Sequence, residues 1–448
     1  MKLDYQARVL PWVALAASVL AAFGMWYWAD KIAAPAYTAK ALAAGRPIGN
    51  NSDLYPRWLG ARELLVHGRD PYSPAVTREI QTGFYGRPLN SQNPSDPTDQ
   101  VAFAYPLYVV YLLTPTLTLP FRTVMETFRW FLLLTIACSV PLWMYAIGFR
   151  PGRLFVISGM VLAVGSFPAV QEFHMQNLTA LVVVLLASAV AATVRGWFVL
   201  SGLLLALSTI KPQLSCLFIF WLILWATGCW TKRKLLVGSF AAFMAVLLMA
   251  SEAALPHWIG RFLAAIRSYQ AYAGDPSIVQ VLLPSFLASV LSVTLFGVLF
   301  VLCWRWRTAP AGSENFSWTL AWVSAVTLAI IPKLAAYNEL LLIPALLVLL
   351  AQRQRIWKMG VVARALVKGA FACQLWQWAA ALVLSLCSFL LPAAKLRAAA
   401  ELPMATSPAS LPITILAVVV ATFYLGNLSR QNPSAGPPIS QTLAARHE

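Results

Sequence analysis

Acidic side chains are scarce in this 448-residue chain: Asp and Glu number 16 against 33 Lys and Arg, and charged residues make up only 11% of it. Soluble domains carry about 25%, so an ordinary cytosolic, secreted or disordered protein is excluded. Histidine is rarer still; His67, His174, His257 and His447 stand far apart, none at the spacing of a local metal motif. The six cysteines (Cys138, Cys216, Cys229, Cys303, Cys373 and Cys387) lie in or at the ends of apolar runs without a CxxC pair, so neither a disulfide framework nor a zinc site is expected. A GxGxxG fingerprint is also missing, and with it the mark of a dinucleotide-type Rossmann unit.

Apolar surface takes the place of charge. Hydrophobic residues reach 60% and the mean hydropathy is +0.69, which reads as an all-α polytopic membrane protein. In such a protein the net charge of +17 belongs to cytoplasmic loops, and a nucleic-acid partner is not expected.

A spanning helix needs about 20 mostly apolar residues. The first candidate is 9–28, closed by the interfacial cluster Trp26-Tyr27-Trp28 and preceded by Lys2 and Arg8, which place the N-terminus in the cytoplasm. The competing reading is a cleaved signal peptide, with Ala33, Ala34 and Ala36 as small residues, but this apolar stretch exceeds the h-region of about 7–15 residues. Further apolar segments recur at 101–120, 124–148, 154–171, 177–194, 197–211, 214–230, 235–253, 279–303, 317–332, 336–351, 366–391 and 411–428.

Basic residues mark one set of junctions: Arg150 and Arg153, Arg195, Lys232-Arg233-Lys234, Arg305 and Arg307, then Arg353, Arg355 and Lys358. Placing both the N-terminus and Arg150 in the cytoplasm requires an even number of crossings between them, yet three segments intervene. The weakest, 101–120, contains Pro106, Pro115 and Pro120 and suits a re-entrant or protein-buried path, because prolines free carbonyls that lipid cannot satisfy. The expectation is a bundle of about 12–13 segments: 1–29 as cytoplasmic N-terminus and first helix, 30–100 as a large extracytoplasmic loop, 101–429 as the multi-helix domain, and 430–448 as a disordered cytoplasmic tail. The turns near 172–176, 211–213, 254–278, 332–337 and 392–410 then share the face of the large loop.

Seven of the 16 acids (Asp30, Asp53, Glu63, Asp70, Glu79, Asp96 and Asp99) fall in that loop. Residues 51–68 read as one amphipathic juxtamembrane helix, with Ser52 as cap, Pro56 in the tolerant first turn and Gly68 as stop. Leu54, Trp58, Ala61 and Leu65 form a stripe suited to the bilayer or to neighbouring helices. Asp53 sits at its positive end, where a carboxylate serves as general base toward an acceptor hydroxyl. On periodicity alone it equally extends the cap or pairs with Arg57, one turn on.

Four pieces in order then resemble glycosyltransferase family 87, the polyprenyl-phosphate-sugar-dependent membrane enzymes of the GT-C superfamily. They are Ser52-Asp53-Leu54-Tyr55 with Ala61-Arg62-Glu63-Leu64-Leu65; Gly68-Arg69-Asp70-Pro71-Tyr72, with Arg69 inserted in a Gly-Asp-Pro-Tyr turn; Tyr105-Pro106-Leu107; and Gln176-Asn177-Leu178 followed by 202–207 and Lys211-Pro212. Met175 stands where the family commonly has glycine. The later stretches Gly274-Asp275-Pro276-Ser277 and 332–339 match poorly, so acceptor specificity is not carried over.

The resemblance implies a GT-C-like bundle that transfers a hexose, commonly mannose, from a polyprenyl-phosphate donor to a glycan, glycolipid or glycoprotein acceptor with inversion. It makes Asp53 the base. Expected location is the cell membrane, with the bacterial inner membrane as the setting and the site on its extracytoplasmic face. Lys211, an ammonium between apolar helices, is the first candidate for the donor phosphate; Lys333, Arg57 and Arg62 are others. Asp70, Tyr72, Tyr105, Glu172, His174, Gln176, Asn177, Tyr337 and Asn338 are candidates for the substrate pocket, and Trp58 and Tyr72 for stacking on sugar or guiding isoprenoid. Inversion needs one base and a cation for the leaving phosphate, so no cofactor or metal site is assigned, with a divalent ion left open.

Two other readings stand beside this one. A transporter or lipid-linked-sugar flippase accounts for the number of apolar segments, although no internal repeat is visible and the charges lie at segment ends. An O-antigen-type ligase also uses a polyprenyl carrier, but places its large loop late in the chain.

Overall fold

The computed structural model describes residues 2–45, 48–90, 92–93, 96–273, 276–332 and 335–431, and all regular structure among them is helical. Lys333, Gly274, Asp275 and the tail from 432 onward, His447 included, lie outside the described residues. In chain order the helices are α1 (Lys2–Trp28), α2 (Ala34–Ala43), α3 (Leu54–Leu65), α4 (Pro74–Tyr85), α5 (Val109–Leu113), α6 (Phe121–Ala146), α7 (Arg153–Val164), α8 (Phe167–Met175), α9 (Thr179–Arg195), α10 (Phe198–Ser208) and α11 (Pro212–Thr227). They continue as α12 (Trp230–Ala254), α13 (Trp258–Ala273), α14 (Ile278–Leu282), α15 (Ser285–Arg305), α16 (Glu314–Ile330), α17 (Ile343–Ala351), α18 (Arg353–Trp357), α19 (Val361–Cys387), α20 (Ala393–Ala398) and α21 (Ser407–Gln431).

Among the described residues, six helices are long and apolar enough to cross a membrane, or seven if the bent pair α7 and α8 is one span. The chain is therefore a multi-pass membrane protein. Several of the remaining apolar segments fold as shorter helices. α10, with 11 residues, extends only about 17 Å, against a hydrocarbon core of about 30 Å. These short helices pack into the protein: α9 buries most of its side chains and α11 half of them, and Trp143, Trp221, Trp318 and Trp322 are buried in the core.

Local structure departs from the simple run of spans at three places. α1 continues through a π-helical turn at Ala29–Ala33 into α2, so helix extends past residue 28. The segment 154–171 bends by 52° between α7 and α8, where Ser166 caps the new helix with Pro168 in its first turn. At 336–351, a 3-10 turn over Ala336–Leu342 precedes α17.

The proline-rich 101–120 segment forms no spanning helix. It holds only α5 and a 3-10 turn at Thr114–Thr116, with Phe103, Leu107, Tyr108, Val109 and Val110 buried in protein. Two phenols tie it down, the Tyr108 hydroxyl donating to Thr209 O (3.1 Å) and the Tyr111 hydroxyl to Ala250 O (2.8 Å). These bonds tie the segment to the α10–α11 turn and to α12, and its buried part lies against protein, where irregular backbone is tolerated at membrane depth.

Within the expected 51–68 the helix is the shorter α3, Leu54–Leu65, and its packing differs from an interfacial stripe. Arg57 and Glu63 are buried along with Leu54, Trp58 and Ala61, so protein surrounds the helix on most sides, while Leu65 is exposed. The close approach is fixed at Gly60, where a Cβ would lie 2.3 Å from the Phe103 ring. Gly68 ends the segment at φ +66°, a conformation that glycine adopts without strain. The inserted Arg69 then bridges buried Glu63 (2.7 Å) and Glu79 of α4 (2.6 Å).

Candidate active site

Four chain segments meet at one end of the bundle: the start of α3, the α8–α9 turn, the α10–α11 turn and the Ala336–Leu342 turn. Asp53 occupies the N-cap of α3, but its carboxylate makes no capping bond. Ser52 takes that role, its Oγ accepting from Leu54 N at 3.3 Å. Asp53 N–H donates to Met175 O at 2.7 Å, which pins the start of α3 to the end of α8. The freed carboxylate is half-buried, and its Oδ2 accepts from Asn177 Nδ2 at 2.7 Å. Among the described residues no donor reaches Oδ1.

The α8–α9 turn explains how Asn177 arrives there. Gln176 is left-handed (φ 48°, ψ 47°), and its Nε2 donates to the carbonyls of Phe173 and of His174 (2.7 Å), closing α8. Met175 is the last helical residue, so the position where glycine is common elsewhere carries no positive φ here. Glu172 is fully buried and accepts from Ala180 N at 2.9 Å; a carboxylate at a helix start satisfies an orphan N–H and complements the helix dipole.

Lys211 comes from the residue before α11 and is only 6% exposed. Its Nζ donates to Asn177 Oδ1 (2.8 Å), Thr179 Oγ1 (2.6 Å) and Asn338 Oδ1 (3.3 Å), and lies 5.0 Å from the centre of the Tyr337 ring. Tyr337 is held by its own N–H, which donates to Gln171 Oε1 at 2.8 Å. One amide, Asn177, thus joins the Asp53 carboxylate on one side to the ammonium on the other.

Arg57 completes the acid's surroundings. It is 2% exposed, donates through Nη1 to Asp53 O, and lies over the Tyr105 ring at 4.0 Å. Its Nε is buried with no partner among the described residues. Tyr72 supports the same wall, its hydroxyl donating to Tyr105 O at 2.7 Å. Burial pushes both phenols well above their ordinary range, so each remains a neutral hydroxyl.

The structure thus brings together Asp53, Arg57, Tyr105, Asn177, Lys211, Tyr337 and Asn338, with Glu172 and Gln176 holding the turn. The others lie farther out. Asp70 accepts from Tyr72 N (2.9 Å) and from Arg261 of α13, tying the loop to that helix. Arg62 is exposed, with its guanidinium over Trp58 at 5.5 Å. His174 faces α1 and the π-helical turn, with Nε2 3.5 Å from Asp30 Oδ1 and its ring against Trp26. Thr179 was not anticipated from sequence; a threonine opening an otherwise apolar helix two residues after Asn177 was the available signal. Among the described residues no three His, Cys, Asp or Glu side chains gather as metal ligands.

A half-buried carboxylate with one oxygen anchored and one open, near an arginine and a lysine, has the parts needed to take a proton while nearby charge changes. The family model for glycosyltransferase family 87 matches residues 103–332, slightly more than half of the chain. No curated protein and no solved structure matches it.

Proposed function

Because the chain belongs to glycosyltransferase family 87, it is a membrane glycosyltransferase, and we propose that it moves a hexose, mannose first, from a polyprenyl-phosphate donor to an extracytoplasmic glycan, glycolipid or glycoprotein acceptor. The observation carrying this reading is the link between Asp53 and Lys211 through Asn177. The acceptor hydroxyl oxygen attacks the anomeric carbon as Asp53 Oδ1 takes its proton. The bond from that carbon to the phosphate oxygen breaks on the opposite side, which inverts the centre, and polyprenyl phosphate leaves with the electron pair.

Arg57 is the first choice for the leaving phosphate, since its buried Nε has no partner among the described residues. Lys211 contributes its charge from behind Asn177 and meets the phosphate only by exchanging an oxygen partner, three of which lie among the described residues. Lys333 and Arg62 remain outer candidates. Asn177, Asn338, Tyr105 and Tyr337 are assigned to the sugar hydroxyls and ring, with Asp70, Tyr72, Glu172, His174 and Gln176 shaping the pocket around them.

A lipid donor is supported by a groove of about 580 Å³ between α1, α6 and α7, lined by Val19, Phe23, Ala137, Ile157 and Val164 and ending at Trp26. The Trp26 ring lies 4.9 Å from that of Phe173 on α8, the helix whose last carbonyl holds Asp53 N–H. An isoprenoid lying in this groove would place its phosphate end near the carboxylate.

The test is transfer from polyprenyl-phosphate mannose by the purified protein in proteoliposomes. Asp53→Asn removes the base at nearly constant volume and is expected to lower turnover by about 10²–10⁴-fold. Transfer at the normal rate would end the assignment.

A further inference from the structure

A second cavity lies at the far end of the bundle and shares no residue with the site above. α9 begins beside Asn177 and runs 17 residues to Arg195, about 25 Å away. There Gly196 (φ 79°) and Trp197 close the helix, Trp197 N–H donating to Ala192 O at 2.8 Å, and α10 turns back. Between this turn and the first turns of α12 is an open apolar cavity of about 490 Å³, lined by Gly196, Trp197, Phe198, Leu200, Leu203 and Leu235.

We propose that this cavity is a headgroup-selective site for an anionic phospholipid, one acyl chain lying against Leu200, Leu203 and Leu235 and the phosphate held at the rim. The rim chemistry selects the charge. Arg195 is exposed with its guanidinium over the Trp197 ring at 5.6 Å. Lys232, three residues before Leu235, projects from the same face of α12, and Lys234, next to Leu235 in sequence, is exposed on the flank of that helix. No Asp or Glu occurs between Phe173 and Ser251, and among the described residues none of these three cations meets a carboxylate.

Arg233 shows the contrast. It is buried and donates to Trp225 O (2.7 Å) and Arg307 O (2.8 Å), with Trp225 stacked beneath it at 3.5 Å. Its charge is used inside the protein, whereas the other three are left for an outside anion. The exposed indoles of Trp197 and Trp230 on either side suit the headgroup level of a bilayer. An apolar trough with such a rim matches an acidic headgroup joined to an acyl chain, and an acidic peptide or nucleic acid would leave the trough unfilled.

The experiment is native mass spectrometry of the full-length protein released from mixed micelles of phosphatidylcholine and phosphatidylglycerol in equal parts. Wild type is expected to retain phosphatidylglycerol preferentially. The triple variant Arg195→Gln, Lys232→Gln, Lys234→Gln should lose about tenfold or more of that preference, since each cation near a charged lipid surface is worth about fivefold.

Leu200→Trp, which fills the trough and leaves every charge in place, should lose it too. A control triple at other basic junctions, Arg150→Gln, Arg153→Gln, Lys358→Gln, should keep it. Equal loss in the control, or full retention by the first triple or by Leu200→Trp, overturns the proposal. So does displacement of the lipid by inorganic phosphate, which would mark an anion site that does not read lipid. Each variant is first matched to wild type for melting temperature in phosphatidylcholine; should the triple not fold, Arg195→Gln alone is read against the same control.

Discussion

Asn177 donates Nδ2 to Asp53 Oδ2 at 2.7 Å while its Oδ1 accepts Lys211 Nζ at 2.8 Å, so a neutral amide stands between a carboxylate and an ammonium. Spacing them by one amide keeps Oδ2 fixed and leaves Oδ1 open, the arrangement a base needs when its proton comes from a substrate.

Replacing Asn177 with Ala removes a hydrogen bond to a charged group, worth about 1.5–3 kcal/mol. Turnover is expected to fall by about 10–150-fold, with a smaller change in KM for the donor. Steady-state kinetics of Asn177→Ala, Asp53→Asn and the double variant check the coupling. If Asn177 acts through Asp53, the double variant is no slower than Asp53→Asn alone; additive losses would separate the two residues.

Lys211 supports a prediction about stability. Lys211→Met keeps the length of the side chain but removes the buried ammonium that donates to Asn177 Oδ1, Thr179 Oγ1 and Asn338 Oδ1, leaving the single Thr179 hydroxyl proton to serve two amide oxygens. The expected loss is about 1–3 kcal/mol, read as a lower unfolding midpoint in detergent. Lys211→Arg should not restore wild-type behaviour, because the planar fork cannot reproduce a compact ammonium with oxygens on three sides. An unchanged midpoint in Lys211→Met would show that the network contributes little.

Much of this architecture was legible in the chain because membranes simplify the code. Apolar runs marked helices, and the prolines of 101–120 marked a run that forms no spanning helix. The order of Asp53, Gln176-Asn177 and Lys211-Pro212 pointed to a single site, but the contacts did not follow from order. Asp53 and Asn177 are 124 positions apart, and no local pattern encodes which amide atom meets which carboxylate. Ser52 and Asp53 both suited the cap, and only the structure separates their roles. Leu54, Trp58 and Ala61 gave α3 a plausible bilayer face; the stripe packs on protein because Phe103 and its neighbours fold over it, a long-range event invisible to periodicity.

That covering contact yields a third prediction. Gly60→Ala sets a Cβ 2.3 Å from the Phe103 ring carbon Cδ2, and relieving such overpacking costs about 1–3 kcal/mol. Phe103 is fully buried and packs against both Tyr72 and Tyr105, so displacement passes to the wall beside Arg57. A lower melting temperature together with reduced transfer is expected for Gly60→Ala. Adding Phe103→Leu should recover part of the stability. Wild-type melting in the single variant would mean the ring has room to move.

Arg69 gives the last prediction, because it occupies a turn that otherwise reads Gly-Asp-Pro-Tyr. Its guanidinium holds Glu63 at 2.7 Å and Glu79 at 2.6 Å, and the Glu63 side chain is only 6% exposed while Arg69 is 42% exposed. Exposed ion pairs are worth about 0–1 kcal/mol, so the Glu79 contact is minor. Removing the partner of a buried carboxylate costs more than that; His67, 3.1 Å from Glu63 Oε1, offsets part of it. Arg69→Ala should therefore destabilise the protein measurably, Glu79→Ala hardly at all, and Arg69→Ala combined with Glu63→Gln less than Arg69→Ala alone. Melting temperatures of the three variants decide it: if Glu63→Gln gives no rescue, the buried charge is not what Arg69 serves.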